Sequence, residues 1–230
     1  MSRIISFGDS WAYGHELDNP EKECFTNILS EKVNVDFKNF GSSGNSFSLI
    51  CSQIFSYNFS EDDFILVCIP PDIRFLGENS IGEFFPLFYT QDKTFNEDTQ
   101  KQFNYFNEVM VNFKNWHPYF QLLNLFSIQE YFAKIKANFL FFTNYGNIDY
   151  SYKFNGKIDK SNFLIKHSLT KFLGGEDSNL IPSRLNTDLI ELKYFRGKYF
   201  KGNKNHPNAK GHEKIADLIY NNSRFQEWLK

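Results

Sequence analysis

A chain of 230 residues, 41% of them hydrophobic, is long enough for one sizeable core and short for two ordinary domains, so a single domain over 1–230 is expected. The 27 acidic and 25 basic side chains leave a net charge of −2 and are scattered along the chain. That distribution offers no basic stripe to a nucleic-acid backbone or an anionic membrane, and no stretch approaches the roughly 20 apolar residues that cross a bilayer.

Taken in chain order, Arg3-Ile4-Ile5-Ser6-Phe7 is a short apolar run closed by Gly8, which predicts a buried first strand ending in a tight turn. The first strand follows the start so closely that no signal peptide is expected, which places synthesis in the cytosol. Helical spacing of Phe25, Ile28, Leu29 and Val33 predicts a helix over about 20–33, and Val33 to Phe40 reads as a second strand stopped by Gly41. A helix is predicted over about 46–55. Phe64-Ile65-Leu66-Val67-Cys68-Ile69, halted by Pro70-Pro71, has the continuous apolar character of a central parallel strand covered on both faces. The segment from Asp72 to Lys136 is too long for a plain loop, so a cap-like insertion at about 72–136 is expected, with a helix near 119–136. Its aromatic residues, Trp116, Tyr119 and Phe120 among them, are expected to pack rather than to form a sugar-stacking platform. Asn138 to Thr143 is a fourth buried strand. A stretch of weak signals runs over about 145–202, and Ile215, Ala216, Leu218 and Ile219 mark a C-terminal amphipathic helix. Cys24, Cys51 and Cys68 are odd in number and lack metal-ligand spacing, so buried structural thiols in a reducing compartment are expected.

Strands alternating with helices predict an α/β fold with a parallel sheet covered on both faces, and ligands in such folds bind beyond the carboxyl ends of the strands. Three motifs fall at such places. Phe7-Gly8-Asp9-Ser10 presents a serine hydroxyl where the first strand turns, the position of a nucleophile, with Asp9 bonding the turn's own amides. Asn39-Phe40-Gly41-Ser42-Ser43-Gly44-Asn45-Ser46 follows the second strand, and its glycines let backbone amides approach an oxyanion. It lacks the third glycine of a dinucleotide fingerprint and the G-x-S-x-G spacing of a nucleophile elbow. His206-Pro207-Asn208-Ala209-Lys210-Gly211-His212 puts a histidine just before a helix capped by Asn208, where a base of near-neutral pKa would be held rigidly. His15, His117, His167 and His212 show no paired metal spacing and are given structural roles, so neither metal nor cofactor is expected.

Gly8-Asp9-Ser10 near the start, the glycine block after the second strand, and the histidine of His-Pro-Asn-x-x-Gly-His near the end resemble blocks I, II and V of the SGNH/GDSL hydrolase family. The resemblance implies a flavodoxin-like three-layer sandwich and a serine esterase that works through an acyl-enzyme. Carried over, Ser10 is the nucleophile, His206 the general base, and the backbone amides of Ser10 and Gly44 donate to the oxyanion. Two positions depart from the pattern. Pro71 stands where the third block has the Asn that completes the oxyanion hole, and proline has no amide hydrogen to donate. Asn45 and Arg74 are the candidate replacements. Asn203 stands where the fifth block has Asp three residues before the histidine; an amide can orient the ring but cannot balance an imidazolium. Asp72 and the insertion are candidate sources of a carboxylate, and a Ser-His dyad is the other possibility. The implied partner is a small-molecule or glycan ester, such as an acyl or acetyl group on a carbohydrate. The rival expectation is a glycan-binding or structural protein on the same fold with attenuated catalytic blocks, of the kind a phage virion carries out of its host on lysis.

Overall fold

The computed structural model describes residues 2–70, 74–78, 84–88, 116–144, 157–174, 199–200 and 206–230, with the backbone alone over 74–78, 84–88 and 116–120. Three strands form as the apolar runs predict: β1 (Arg3–Gly8), β2 (Asp36–Gly41) and β3 (Asp63–Ile69). A short antiparallel pair, β4 (Arg74–Glu78) and β5 (Phe84–Phe88), stands apart from them, and β6 (Asn138–Thr143) completes the main sheet. That sheet is parallel, in the order β2-β1-β3-β6. The chain passes from β1 to β2 on one side, then crosses to β3 on the other. The ends of β1 and β3 therefore border the crevice where the connections diverge.

Alternation along the buried strands feeds two cores. Ile4, Phe64, Leu66, Cys68, Leu140 and Phe142 face one side, where α3 (Phe25–Val33) contributes Phe25 and Leu29, and α7 (Ala209–Tyr220) contributes Ile215, Ala216 and Ile219. The short α8 (Ser223–Trp228) adds Phe225 to that face. Ile5, Phe7, Ile65, Val67, Ile69, Phe139 and Phe141 face the other side, covered by α4 (Phe47–Ser56) and α5 (Trp116–Lys134). Each fully buried Leu, Ile or Phe stabilises the fold by roughly 1.5–3 kcal/mol, which is why the apolar stripes set the layer order. Leu122, Leu125, Ile128 and Phe132 of α5 lie in this second core, so the end of the 72–136 segment supplies a covering helix of the main sheet. The amino ends of β1 and β3 are tied by Arg3, whose Nε and Nη2 donate to the two Asp63 carboxylate oxygens at 2.8 and 2.7 Å.

Several boundaries differ from the spacing-based expectation. The helix expected over 20–33 is broken at Cys24, whose extended backbone separates α2 (Pro20–Glu23) from α3. Val33 ends α3 rather than opening β2, because Asn34 takes the left-handed conformation at φ 55° and closes the helix. The weakly patterned stretch contains a 3₁₀ turn at Lys160–Asn162 and α6 (Leu169–Phe172).

Candidate active site

At the end of β1 the chain turns at once into α1 (Ser10–Tyr13). Asp9 is its N-cap: one carboxylate oxygen accepts from the Trp11 amide at 3.0 Å and the other from Asn144 Nδ2 at 2.7 Å. Asp9 and Asn144 are fully buried, so the cap also ties the Ser10 turn to the end of β6. This is the structural role its turn position predicts. Two glycines allow α1 to lie against the sheet. A Cβ on Gly8 would come within 2.7 Å of both Ala12 Cβ and Cys68 Cβ, and one on Gly41 within 2.4 Å of the Tyr13 amide nitrogen. Asn39 of β2 fixes the other side of α1, because its Nδ2 donates to the Ala12 carbonyl at 2.7 Å while its Oδ1 accepts from the Gly41 amide and the Ser6 hydroxyl.

The histidine arrives from the far end of the chain. Asn208 caps α7 by accepting from the Gly211 amide at 3.0 Å, and its own amide donates to the Tyr199 carbonyl. Its Nδ2 donates to the Phe200 carbonyl, and Phe200 forms an isolated bridge with Pro207 and packs edge-on against Trp11. The segment before α7 is thereby anchored beside α1, and His206 Nε2 stands 2.9 Å from Ser10 Oγ across 196 residues of sequence.

The other ring nitrogen meets a residue that motif reading overlooked. His206 Nδ1 lies 3.3 Å from Glu16 Oε2, and both side chains are largely withdrawn from solvent. Glu16 holds a left-handed backbone at φ 73°, unusual for a residue with a long side chain, two positions after Gly14 closes α1. His15 is drawn in as well; its ring packs edge-on against that of His206 with centroids 5.0 Å apart. The His206 pKa lies below its ordinary value of 6.5, chiefly because burial penalises the imidazolium, with the His15 charge acting in the same direction and the Glu16 carboxylate and Asp9 opposing them. The only sequence signal for Glu16 was an acidic residue in the turn after the serine motif, and nothing in its spacing distinguishes it from other surface acids.

Other expectations divide as follows. Gly44 is buried with φ 82°, a conformation that glycine adopts without strain. Asn45 is buried, and its Nδ2 donates to the Gly8 carbonyl at 3.0 Å, which braces the turn before Ser10. His212 has the structural role expected of it and points into the core: it stacks on Phe25, its Nδ1 accepts from the Phe25 amide at 3.2 Å, and burial pushes its pKa down to about 3. Cys24, Cys51 and Cys68 are buried and form no disulfide with one another, as a structural role requires. Pro71, Asp72 and Asn203 lie outside the described residues, as do the side chains of Arg74, Trp116, His117, Tyr119 and Phe120.

Among known proteins, no family model matches the chain. It is 26% identical over 177 residues to the uncharacterized protein MG422 of Mycoplasma genitalium, an alignment covering 75% of this chain and 20% of that protein. The chain thus spans about a fifth of the length of the curated relative it matches. Among solved structures, the psychrotrophic esterase EstA from Pseudoalteromonas sp. aligns over 100% of this chain and 99% of its own with a TM-score of 0.50 and 13% identity. A member of the lipolytic protein G-D-S-L family from Veillonella parvula covers 95% and 96% of the two chains at TM-score 0.47 and 16% identity. The acetyl xylan esterase AlAXEase covers 95% and 98% at TM-score 0.49 and 13% identity. The fold is that of the SGNH hydrolases, with the parallel sheet between helical layers that the resemblance implied.

Proposed function

We propose that this chain, with its SGNH-hydrolase fold, is a serine esterase that cleaves an acyl or acetyl ester, in our reading one carried by a carbohydrate. The reading rests above all on one observation: Ser10 Oγ and His206 Nε2 are within hydrogen-bond distance at the carboxyl edge of a parallel sheet. A serine hydroxyl is a poor nucleophile until a neighbouring base takes its proton, and a buried histidine held neutral is suited to that role. In this mechanism Ser10 Oγ attacks the ester carbonyl carbon while His206 Nε2 accepts the hydroxyl proton. The backbone amides of Ser10 and Gly44 donate to the oxyanion of the tetrahedral intermediate. The C–O bond to the leaving alcohol then breaks as His206 returns its proton to that oxygen, leaving an acyl group on Ser10. A water activated by the same imidazole attacks the acyl carbon and releases the acid. Tyr13, three residues after Ser10, and Ser42 and Ser43, which follow β2, are exposed, and their hydroxyl groups suit a hydroxylated substrate in this reading.

Hydrolysis of p-nitrophenyl acetate by the wild-type chain and by Ser10→Ala, together with labelling by a fluorophosphonate, tests the assignment. Turnover and labelling by the wild type, both lost in Ser10→Ala, are expected. Equal behaviour of the two proteins would remove Ser10 as the nucleophile.

A further inference from the structure

We infer that Glu16 is the positioning carboxylate of this site, supplying from the turn after the nucleophile what the resemblance led one to seek three residues before the histidine. The inference rests on the esterase reading and extends it. Asn203 has no ionisable group, so wherever its side chain lies it cannot balance the charge that His206 acquires in the transition state. Glu16 can, and its placement is specific. Its Oε2 stands 3.3 Å from His206 Nδ1, on the opposite side of the ring from Ser10. His206 Nδ1 is buried and has no aligned hydrogen-bond partner among the described residues. At 3.3 Å, a small rotation of either side chain is enough to align the Nδ1 hydrogen with the carboxylate oxygen.

Two further observations show that the chain holds Glu16 there at some cost. The backbone at φ 73° is a conformation that favours glycine or asparagine, yet the position carries a glutamate. The carboxylate is also mostly shielded from solvent, where an acidic side chain needs a nearby cationic or donating group. With the Nδ1 proton directed at Glu16, the Nε2 lone pair faces Ser10, which is the tautomer a general base requires. The nucleophile and the carboxylate therefore come from one short segment, Ser10 to Glu16, and the histidine inserted from the far end of the chain is held between them. Glu16 transfers no proton to substrate; it orients the ring and stabilises the imidazolium.

The test compares wild type with Glu16→Gln, Glu16→Asp and Glu16→Asn in p-nitrophenyl acetate hydrolysis across pH, with each protein's folded fraction measured by thermal melting. Asparagine accepts the left-handed backbone well and keeps the variant folded. In Glu16→Gln and Glu16→Asn, kcat is expected to fall by about 10²–10⁴ with KM little changed, as for loss of the corresponding carboxylate in serine proteases. The acid limb of kcat/KM should move to lower pH, because a carboxylate that raises the His206 pKa has been removed while His15, Asp9 and His212, the other titratable groups facing His206 among the described residues, remain. Glu16→Asp should recover part of the lost kcat. Wild-type kcat and an unmoved acid limb in well-folded Glu16→Gln and Glu16→Asn would overturn the assignment and leave the esterase reading standing. A wild type indistinguishable from Ser10→Ala would instead refute the esterase reading, and this inference with it.

Discussion

The contact between β2 and α1 makes Gly41→Ala a sensitive probe of how the fold positions Ser10. The added Cβ would lie 2.4 Å from the Tyr13 amide nitrogen and 2.7 Å from the Ala12 carbonyl carbon, against an ordinary contact of 3.4 Å or more. Both obstacles are backbone atoms of α1, so no side chain can rotate away and α1 must separate from β2 by about 1 Å. Such a shift breaks no buried ladder. It does stretch the Asn39 Nδ2 bond to the Ala12 carbonyl and displace Ser10 relative to His206, which is anchored through α7. Overpacking of this sort costs about 1–3 kcal/mol, and a misplacement of about 1 Å in a reacting group costs on the order of 10²-fold in rate. The expected protein is folded, melts lower by roughly 2–4 °C for each kcal/mol lost, and hydrolyses p-nitrophenyl acetate about a hundredfold more slowly per folded molecule. Urea unfolding and fluorophosphonate labelling rates, measured on the same preparation, separate the two effects. A folded Gly41→Ala chain that labels at the wild-type rate would refute the view that close approach of α1 to β2 sets the position of the nucleophile.

Two other substitutions test the buried polar framework. Asn144→Ala removes the 2.7 Å bond to the fully buried Asp9 carboxylate, so a loss of about 2–3 kcal/mol in urea unfolding and a slower Ser10 are expected; unchanged stability would mean that the cap is satisfied elsewhere. His212 has an ordinary pKa of 6.5 and a folded value of about 3, so the unfolded chain takes up a proton that the native core refuses, and this contribution to stability declines as pH falls from about 6.5 to about 3. The limiting slope is about 1.4 kcal/mol per pH unit. In His212→Gln, which retains an acceptor for the Phe25 amide, the acid dependence of the urea midpoint should flatten in that window; the same slope as wild type would assign the effect to other groups.

Much of the layered fold was legible before any coordinates because burial is written into the strands as continuous apolar runs. Phe64 to Ile69 and Asn138 to Thr143 appear where those runs predict, and the Asp9 and Asn208 caps follow from the short polar side chains at helix starts. Helix boundaries were less legible, because the break at Cys24 and the early stop at Asn34 are set by backbone conformations that side-chain spacing does not encode. The packing of α5 on the sheet was hidden for a related reason: its apolar residues are compatible with any hydrophobic neighbour, and only the folded chain selects the face formed by Ile65, Val67, Phe139 and Phe141.

Within the site, sequence alone determined the chemical types and the order of the parts: a serine at the first turn, a glycine-rich bend after the second strand, and a histidine before the last long helix. Those features are local, since each depends on a turn or cap formed by neighbouring residues. Tertiary structure alone decided that Ser10 and His206 meet at 2.9 Å, that His15 packs on His206, and that Glu16 faces its second ring nitrogen. The physical reason is that a carboxylate's partner is chosen by distance in space, and the distance from Glu16 to His206 is set by the packing of α1, β2 and α7 rather than by anything in the 189 residues of sequence between them.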